Sequence, residues 1–109
     1  MAPLTDYFPG RIWLCEYPVR YAGTRFLARM TVLRLSSGEL LLHSPCEIDS
    51  ALATELSNLG EVAHIVAPGT YHYLHLPSCQ AQFPKAQTSL CPGIERKKPD
   101  LPFDWILGP

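Results

Sequence analysis

The chain has 109 residues, of which 47% are hydrophobic and 17% charged, and its net charge is −1. This length favours a single domain spanning residues 1–109, and this composition excludes an intrinsically disordered chain. The near-neutral charge excludes a broad basic surface, so we expect no nucleic-acid partner. No apolar run is long enough to span a bilayer, and the first ten residues lack the pattern of a signal peptide. We therefore expect no membrane partner and a cytoplasmic location.

The N-terminal half of the chain predicts a β-meander. The segment up to Gly10 is polar and rich in proline, and we expect a loose lead-in there. Three strands are predicted, at Arg11–Val19, Arg25–Leu35 and Leu40–His43. Pro18 marks either a sheet edge or the end of the first strand, because proline cannot donate to a ladder. Turns at Tyr21–Thr24 and Ser36–Glu39 separate the strands.

The remainder of the chain alternates helix and strand. In Asp49–Asn58 apolar residues recur on one helical face, Ser44 or Asp49 is suited to the N-cap, and Gly60 is suited to the C-terminal stop. The further predicted elements are a strand at Val62–Ala67, a helix at Thr70–Phe83 broken at Pro77, and strands at Ala86–Leu90 and Phe103–Leu107. The basic stretch Glu95–Lys98 is expected to be a solvated loop. This order predicts an α/β fold with a mixed sheet flanked by helices, in which the two strands around the first helix are parallel.

Four cysteines are spread widely along the chain, at Cys15, Cys46, Cys79 and Cys91. None forms a Cys-x-x-Cys pair, and their spacing resembles neither a zinc ribbon nor a compact disulfide scaffold. In a reducing compartment we expect most of them to be free thiols in a core.

Four segments in order carry a family resemblance: Arg29–Pro45 (RMTVLRLSSGELLLHSP), Leu59–Leu76 (LGEVAHIVAPGTYHYLHL), Phe83–Ala86 (FPKA) and Cys91–Lys97 (CPGIERK). Together they resemble an uncharacterised family, a domain of unknown function placed in the metallo-β-lactamase-fold clan. The resemblance runs from about Ile12 to Leu107. It implies the N-terminal half of an αββα sandwich, because such family members continue for roughly another hundred residues. The chain would then be a fragment, a truncated gene product or a split subunit, which a missing C-terminal half or a homo-oligomer completes.

The resemblance also implies where a metal would bind. The clan's hydrolases carry His-x-His-x-Asp-His directly after a strand, and here the equivalent place follows the second parallel strand. Pro68 and Thr70 stand where histidines would. His72 stands near the aspartate and Tyr73 at the last histidine. The family's own Pro-Asn and paired His-His are altered too, with Gly69 for the asparagine and Tyr73 for the second histidine. The resemblance thus implies a metallo-hydrolase-like protein with a degenerate metal motif, which argues against catalysis by this chain alone.

His72 and His75 are the residues that we predict as metal ligands, with zinc or another divalent metal as the cofactor. On an uninterrupted helix they would share one face with Cys79. Pro77 intervenes, however, and can take Cys79 off that face. The alternative is that histidines three residues apart on an amphipathic helix form only a polar stripe.

Any pocket should lie at the carboxyl ends of the parallel strands, where His43, Ser44, His72 and Tyr73 would line it. His43 stands where the clan often has an aspartate that orients the metal histidines; the alternative is a strand-end histidine bonded to backbone. His43 and Cys46 are the candidates for a further ligand. Their closeness in sequence is weak support for a nucleophilic cysteine.

A different class of function, a non-catalytic interaction or structural module, rests on the sheet itself. A half sandwich exposes one sheet face, and Trp13, Phe26, Val32 and Leu41 are the residues that we predict for it. Such a face would pair with another chain or with a second copy. Self-association without metal favours this hypothesis, whereas bound metal that is lost with His72 favours the metallo-hydrolase-like one.

Overall fold

The computed structural model describes residues 4–21, 23–68, 75–97 and 100–107. In that part of the chain seven strands form one sheet, in chain order: β1 (Thr5–Phe8), β2 (Ile12–Tyr21), β3 (Thr24–Arg34), β4 (Leu40–His43), β5 (Val62–Ala67), β6 (Gln87–Leu90) and β7 (Trp105–Ile106). The first four strands are antiparallel, and β4 to β7 are parallel. Helices α1 (Ser50–Leu59), α2 (Leu76–Gln82) and α3 (Ile94–Lys97) connect the parallel strands. The predicted mixed α/β sheet is confirmed.

The strand register assigns the side chains to two faces of the sheet, which we call the covered face and the open face. One row of the covered face runs through Trp13, Val32, Leu42, Ile65 and Thr88. All five are buried, and the apolar four share a core with Leu52, Leu56, Leu76, Cys79 and Ile94 of the three helices. A row of the open face runs through Thr5, Leu14, Thr31, His43, Val66, Ser89 and Trp105. Its members are partly buried or exposed, so the described helices cover one face only.

The prediction of the exposed face is correct for Leu41 and wrong for Trp13 and Val32. Leu41 lies on the open face, opposite Leu33. Trp13 is only 6% exposed and Val32 is 0% exposed, both in the core under the helices. The side chain of Phe26 lies outside those that the structure describes. Strand β2 carries apolar residues on both faces, so composition alone does not reveal which face the helices cover.

Two short elements depart from expectation. The segment before Gly10 is not a loose lead-in, because β1 pairs with β2 there, although all four of its side chains are exposed. Glu95–Lys98 is not a plain solvated loop either, since α3 occupies most of it. Ile94 of α3 is fully buried, and the Glu95 carboxylate accepts the Gly93 N–H at 3.0 and 3.1 Å.

Helix α1 begins and ends within one residue of its predicted bounds. Asp49, one of the two predicted N-caps, accepts the Leu52 N–H through Oδ1 at 2.7 Å. At the other end, Arg34 donates from Nη2 to the Leu59 carbonyl at 2.8 Å. The same guanidinium lies 5.0 Å from the centre of the Trp13 ring. These contacts fasten α1 to β2 and β3.

Pro18 lies inside β2, opposite Leu27 of β3 and beyond the stretch of β2 that pairs with β1. Of the two predictions for Pro18, a place at a sheet edge is confirmed, and the end of the strand is wrong. Across the described residues, no helix is both long enough and apolar enough to cross a membrane.

Candidate functional site

The candidate site lies at the sheet edge where the parallel strands β4 and β5 end. Strand β4 closes at His43, and the N–H of Ser44 donates to a carbonyl of β5 at 2.9 Å, so the two strand ends stay together. The segment after β5 that carries the predicted residues His72 and Tyr73, residues 69–74, lies outside the described residues. The structure therefore places one of the two predicted ligands, His75.

Ser44 makes hydrogen bonds with several residues at this edge. Its φ of 61° is in the left-handed region, which is uncommon for residues other than glycine. The residue is buried, its carbonyl accepts a hydrogen bond from the Tyr17 hydroxyl at 3.4 Å, and its Oγ lies 3.1 Å from Nδ1 of His43. Strained conformations of this kind persist where surrounding contacts hold them, and they concentrate at functional sites.

His75 sits immediately before α2, at the N-cap position, and its side chain makes no capping hydrogen bond. Its ring packs edge-on against Tyr17, with ring centroids 5.6 Å apart and planes at 85°. Helix α2 begins only at Leu76 and holds Pro77 in its first turn, where a missing N–H is tolerated. An uninterrupted helix carrying His75 and Cys79 on one face is therefore not formed, and Cys79 is buried in the core.

Cys46 does not join His43 in a common site. His43 lies on the open face, whereas Cys46 is fully buried on the helix side, where its thiol contacts Met30 Sδ at 3.8 Å. A hydrogen bond with Cys15 and burial raise the pKa of the Cys46 thiol. It stays protonated near neutral pH, which is the wrong state for a nucleophile or ligand.

Tyr17 is the residue of this edge that sequence reasoning misses. It joins Ser44 through its hydroxyl and His75 through its ring, yet it is distant from both in sequence. Its place in β2, two residues after Cys15 on the same face, is the signal that could have found it.

The described residues do not by themselves fit a metal centre. A structural zinc takes roughly four N, S or O ligands and a catalytic zinc about three plus water. Within residues 4–21, 23–68, 75–97 and 100–107, no three His, Cys, Asp or Glu side chains lie close enough together to hold a metal ion. The other predicted ligand, His72, lies outside these described residues.

Two open clefts lie at the amino-terminal ends of the parallel strands, away from the candidate edge. One of about 570 Å³ is lined by Gly60 and Val62 at the start of β5 and by Phe83–Lys85. The other, of about 540 Å³, lies between the starts of β6 and β7. In open α/β sheets the usual ligand position is the opposite, carboxyl end.

Comparisons with known proteins agree with this architecture. The family model described as "Domain of unknown function (DUF4336)" matches residues 9–108. No curated protein matches the chain. Among solved structures, DIM-1 metallo-β-lactamase exposed to ceftazidime is similar with a TM-score of 0.72 and 13% identity, over 96% of this chain and 51% of its own. A metallo-β-lactamase from Pontibacter korlensis is similar with a TM-score of 0.71 and 13% identity, over 100% of this chain and 54% of its own. The metallo-β-lactamase FIM-1 from Pseudomonas aeruginosa, in its mono-zinc form, is similar with a TM-score of 0.69 and 11% identity, over 97% of this chain and 50% of its own.

At these identities the likeness establishes the fold alone. The chain has a metallo-β-lactamase-like fold and spans about half the length of the solved structures it matches. The predicted fold, the N-terminal half of such a sandwich, is confirmed.

Proposed function

The chain belongs to the DUF4336 family, and on that premise we propose that it is a metallo-hydrolase-like half-domain with a degenerate metal motif. The observation that carries this proposal is the likeness to metallo-β-lactamases over nearly the whole chain but only half of theirs. Residues 1–109 then form one partial domain. Because Pro68, Thr70 and Tyr73 stand where the clan's hydrolases carry histidines, we expect no hydrolysis by this chain alone.

His72 and His75 remain the metal ligands that we propose. The support is positional: His75 packs against Tyr17, whose hydroxyl bonds Ser44 at the sheet edge where ligands of open α/β sheets bind. One of the similar structures, FIM-1, was solved in a mono-zinc form. Zinc or another divalent metal, when bound, supplies a water of lowered pKa as a nucleophile.

Metal content tests this proposal directly. If His72 and His75 are both ligands, the purified chain should take up about one zinc ion per chain and keep it through dialysis. His72→Ala and His75→Ala should each lose it. His64→Ala is the matched control, since His64 lies within β5 on the open face and should leave binding unchanged. Absence of metal from the wild-type chain would remove His72 and His75 as ligands.

A second candidate function is a pairing module, and a specific observation favours it. Apolar side chains line the open face on neighbouring strands, at Ile12, Leu14, Leu33, Leu41 and Val66. All of them are only partly buried, and the described helices pack on the other side. An uncovered apolar sheet face of this kind is typical of an interaction surface.

The occupant that we propose for the open face is a second sheet of the same fold. This chain covers about half of the similar structures, which leaves room for a second layer in a sandwich about 10 Å thick. When the chain is studied alone, a second copy would take that place. Self-association that a charged residue at Leu41 abolishes would support the module, and a monomer at all concentrations would argue against it.

A further inference from the structure

A cluster of buried sulfur atoms lies under the candidate edge, and neither proposed function uses it. Cys15 of β2 stands directly opposite Met30 of β3, and the Cys46 thiol reaches Met30 Sδ at 3.8 Å. The Cys46 and Cys15 side chains are also within hydrogen-bonding reach of each other, so the single thiol proton of Cys46 can be donated to either sulfur. All three side chains are 0% exposed. Two cysteines that are distant in sequence are thus neighbours in the core.

The surroundings of this pair suit a covalent bond. A disulfide draws two sulfur atoms from contact to about 2.05 Å, so one of them must be able to shift by an ångström or two. Cys15 is held in the centre of the sheet by its pairing with β3. Cys46 lies between β4 and α1, where the backbone has no regular hydrogen-bonded structure. A shift of Cys46 itself breaks no strand or helix hydrogen bond, while Ser44 and Ile48 on either side of it stay fastened by theirs.

We propose that Cys15 and Cys46 form a disulfide when the chain is oxidised by hydrogen peroxide, an oxidant small enough to enter a packed core. The Cys15 thiolate attacks one peroxide oxygen, the O–O bond breaks, and hydroxide leaves, so that Cys15 becomes a sulfenic acid. The Cys46 thiol gives its proton to that hydroxide and attacks the Cys15 sulfur. The S–O bond breaks, and the second hydroxide takes the proton that Cys15 first released. Two thiols and one peroxide give one disulfide and two waters.

The electrostatics of the pair assign these roles. The hydrogen bond from Cys46 lowers the pKa of Cys15, which favours its thiolate. The same bond, followed by burial, raises the pKa of Cys46. Cys15 is therefore the attacking thiolate and Cys46 the resolving thiol. Burial raises the pKa of Cys79 to about 12, so this third buried thiol remains a bystander.

The bond would tie together the strand and the loop that form the candidate edge. Cys15 precedes Tyr17 by two residues, and Cys46 follows Ser44 by two. The hydroxyl of Tyr17 already donates to the carbonyl of Ser44, so the disulfide would add a covalent link beside this hydrogen bond. The link closes a loop between two distant segments, and the oxidised chain should melt about 10 °C higher.

Peptide mapping of the whole chain tests the proposal. The reduced protein is treated with hydrogen peroxide, its remaining thiols are alkylated in denaturant, and it is cut with trypsin and a glutamyl endopeptidase. These enzymes place Cys15, Cys46 and Cys79 in the separate peptides Ile12–Glu16, Leu40–Glu47 and Val62–Lys85. We expect the first two peptides to be linked, with a loss of about 2 Da from the intact mass that a reductant reverses.

The matched variants are Cys46→Ala, which should abolish the link, and Cys79→Ala, which should keep it, since both remove a fully buried thiol. Peptide mapping of the wild-type chain identifies the link by itself, so the test holds even if a variant fails to fold. A link that involves Cys79, or oxidation of single cysteines to sulfinic acid without any link, would overturn the proposal.

Discussion

Ser44 holds its left-handed backbone conformation through contacts on three sides: its N–H with β5, its carbonyl with Tyr17 and its hydroxyl with His43. A side chain in this conformation costs about 1–2 kcal/mol, which glycine does not pay. Ser44→Ala keeps that cost and loses the hydroxyl contact. Ser44→Gly loses the same contact but removes the strain.

We therefore expect Ser44→Gly to be more stable than Ser44→Ala by about 1 kcal/mol in urea unfolding. This order is the reverse of the one expected in regular structure, where glycine is the worse residue. An alanine variant as stable as the glycine variant would show that the backbone at this junction relaxes.

Tyr17 makes the fold sensitive to alkaline pH. Burial, with smaller contributions from Cys46 and Cys15, raises its phenol pKa to about 12, against about 10 in an unfolded chain. Between those values the unfolded chain has lost the proton and the folded chain retains it. The free energy of unfolding should therefore be unaffected by this group below pH ~10 and fall as pH rises to ~12, by at most about 3 kcal/mol.

Urea unfolding at several alkaline pH values measures this effect. Tyr17→Phe should show a smaller fall in stability over that window, because the titrating phenol is gone. Tyr7→Phe is the matched control, since Tyr7 is 69% exposed, and it should follow the wild type. Equal slopes for Tyr17→Phe and the wild type would contradict the role given to burial.

At the same scale, the sequence located the candidate edge but not its contacts. The ends of β4 and β5 were predictable from two apolar runs, each stopped by a proline. The Tyr17–Ser44–His75 arrangement was not, because it joins three distant segments through a hydroxyl, a carbonyl and a ring. Sequence spacing carries no information on such long-range contacts until the register of β2 is known.

Among the elements, those with strong periodicity or long apolar runs were predictable, and the short ones were not. Helix α1 combines an apolar face with an N-cap, and β4 and β5 are short apolar runs between turn residues. Strand β1 has four exposed residues and gains its strand structure from pairing with β2, which local sequence does not encode. Helix α3 is a single turn, too short to display a helical period.

Gly60 links α1 to β5. Glycine is needed at this position because there is no room for a side chain, and not because of an unusual backbone angle. Its φ of 164° is ordinary extended backbone, but a Cβ there would collide with the carbonyl oxygen of Gly38. Gly60→Ala should therefore destabilise the chain by about 2 kcal/mol, as other overpacked sites do, measured by urea unfolding.

Gly10→Ala is the comparison for this prediction. A Cβ at Gly10 meets nothing within 4 Å, so only its positive φ opposes the change, at a cost of about 1 kcal/mol. If Gly60→Ala cost less than Gly10→Ala, the turn at Gly38 would not be packed against α1 as described.

For the whole molecule, the resemblance predicted half of a sandwich, and the fold agrees. Which residues lie on the open face was not predictable, because Ile12, Trp13, Leu14 and Cys15 follow one another without alternation. The register resolves them: Trp13 and Cys15 lie beneath the helices, and Ile12 and Leu14 lie on the open face. Side-chain burial of this kind depends on where the helices pack, a property of the whole sheet.

The measurement that tests the half-sandwich account most directly is sedimentation velocity of the isolated chain over a range of concentrations. If the open face needs a second layer, the wild-type chain should self-associate and Leu41→Glu, confirmed as folded by circular dichroism, should be monomeric. Ala51→Glu, on the exposed surface of α1, should associate like the wild type. A wild-type chain that stays monomeric throughout, or Leu41→Glu that associates as strongly as the wild type, would contradict it.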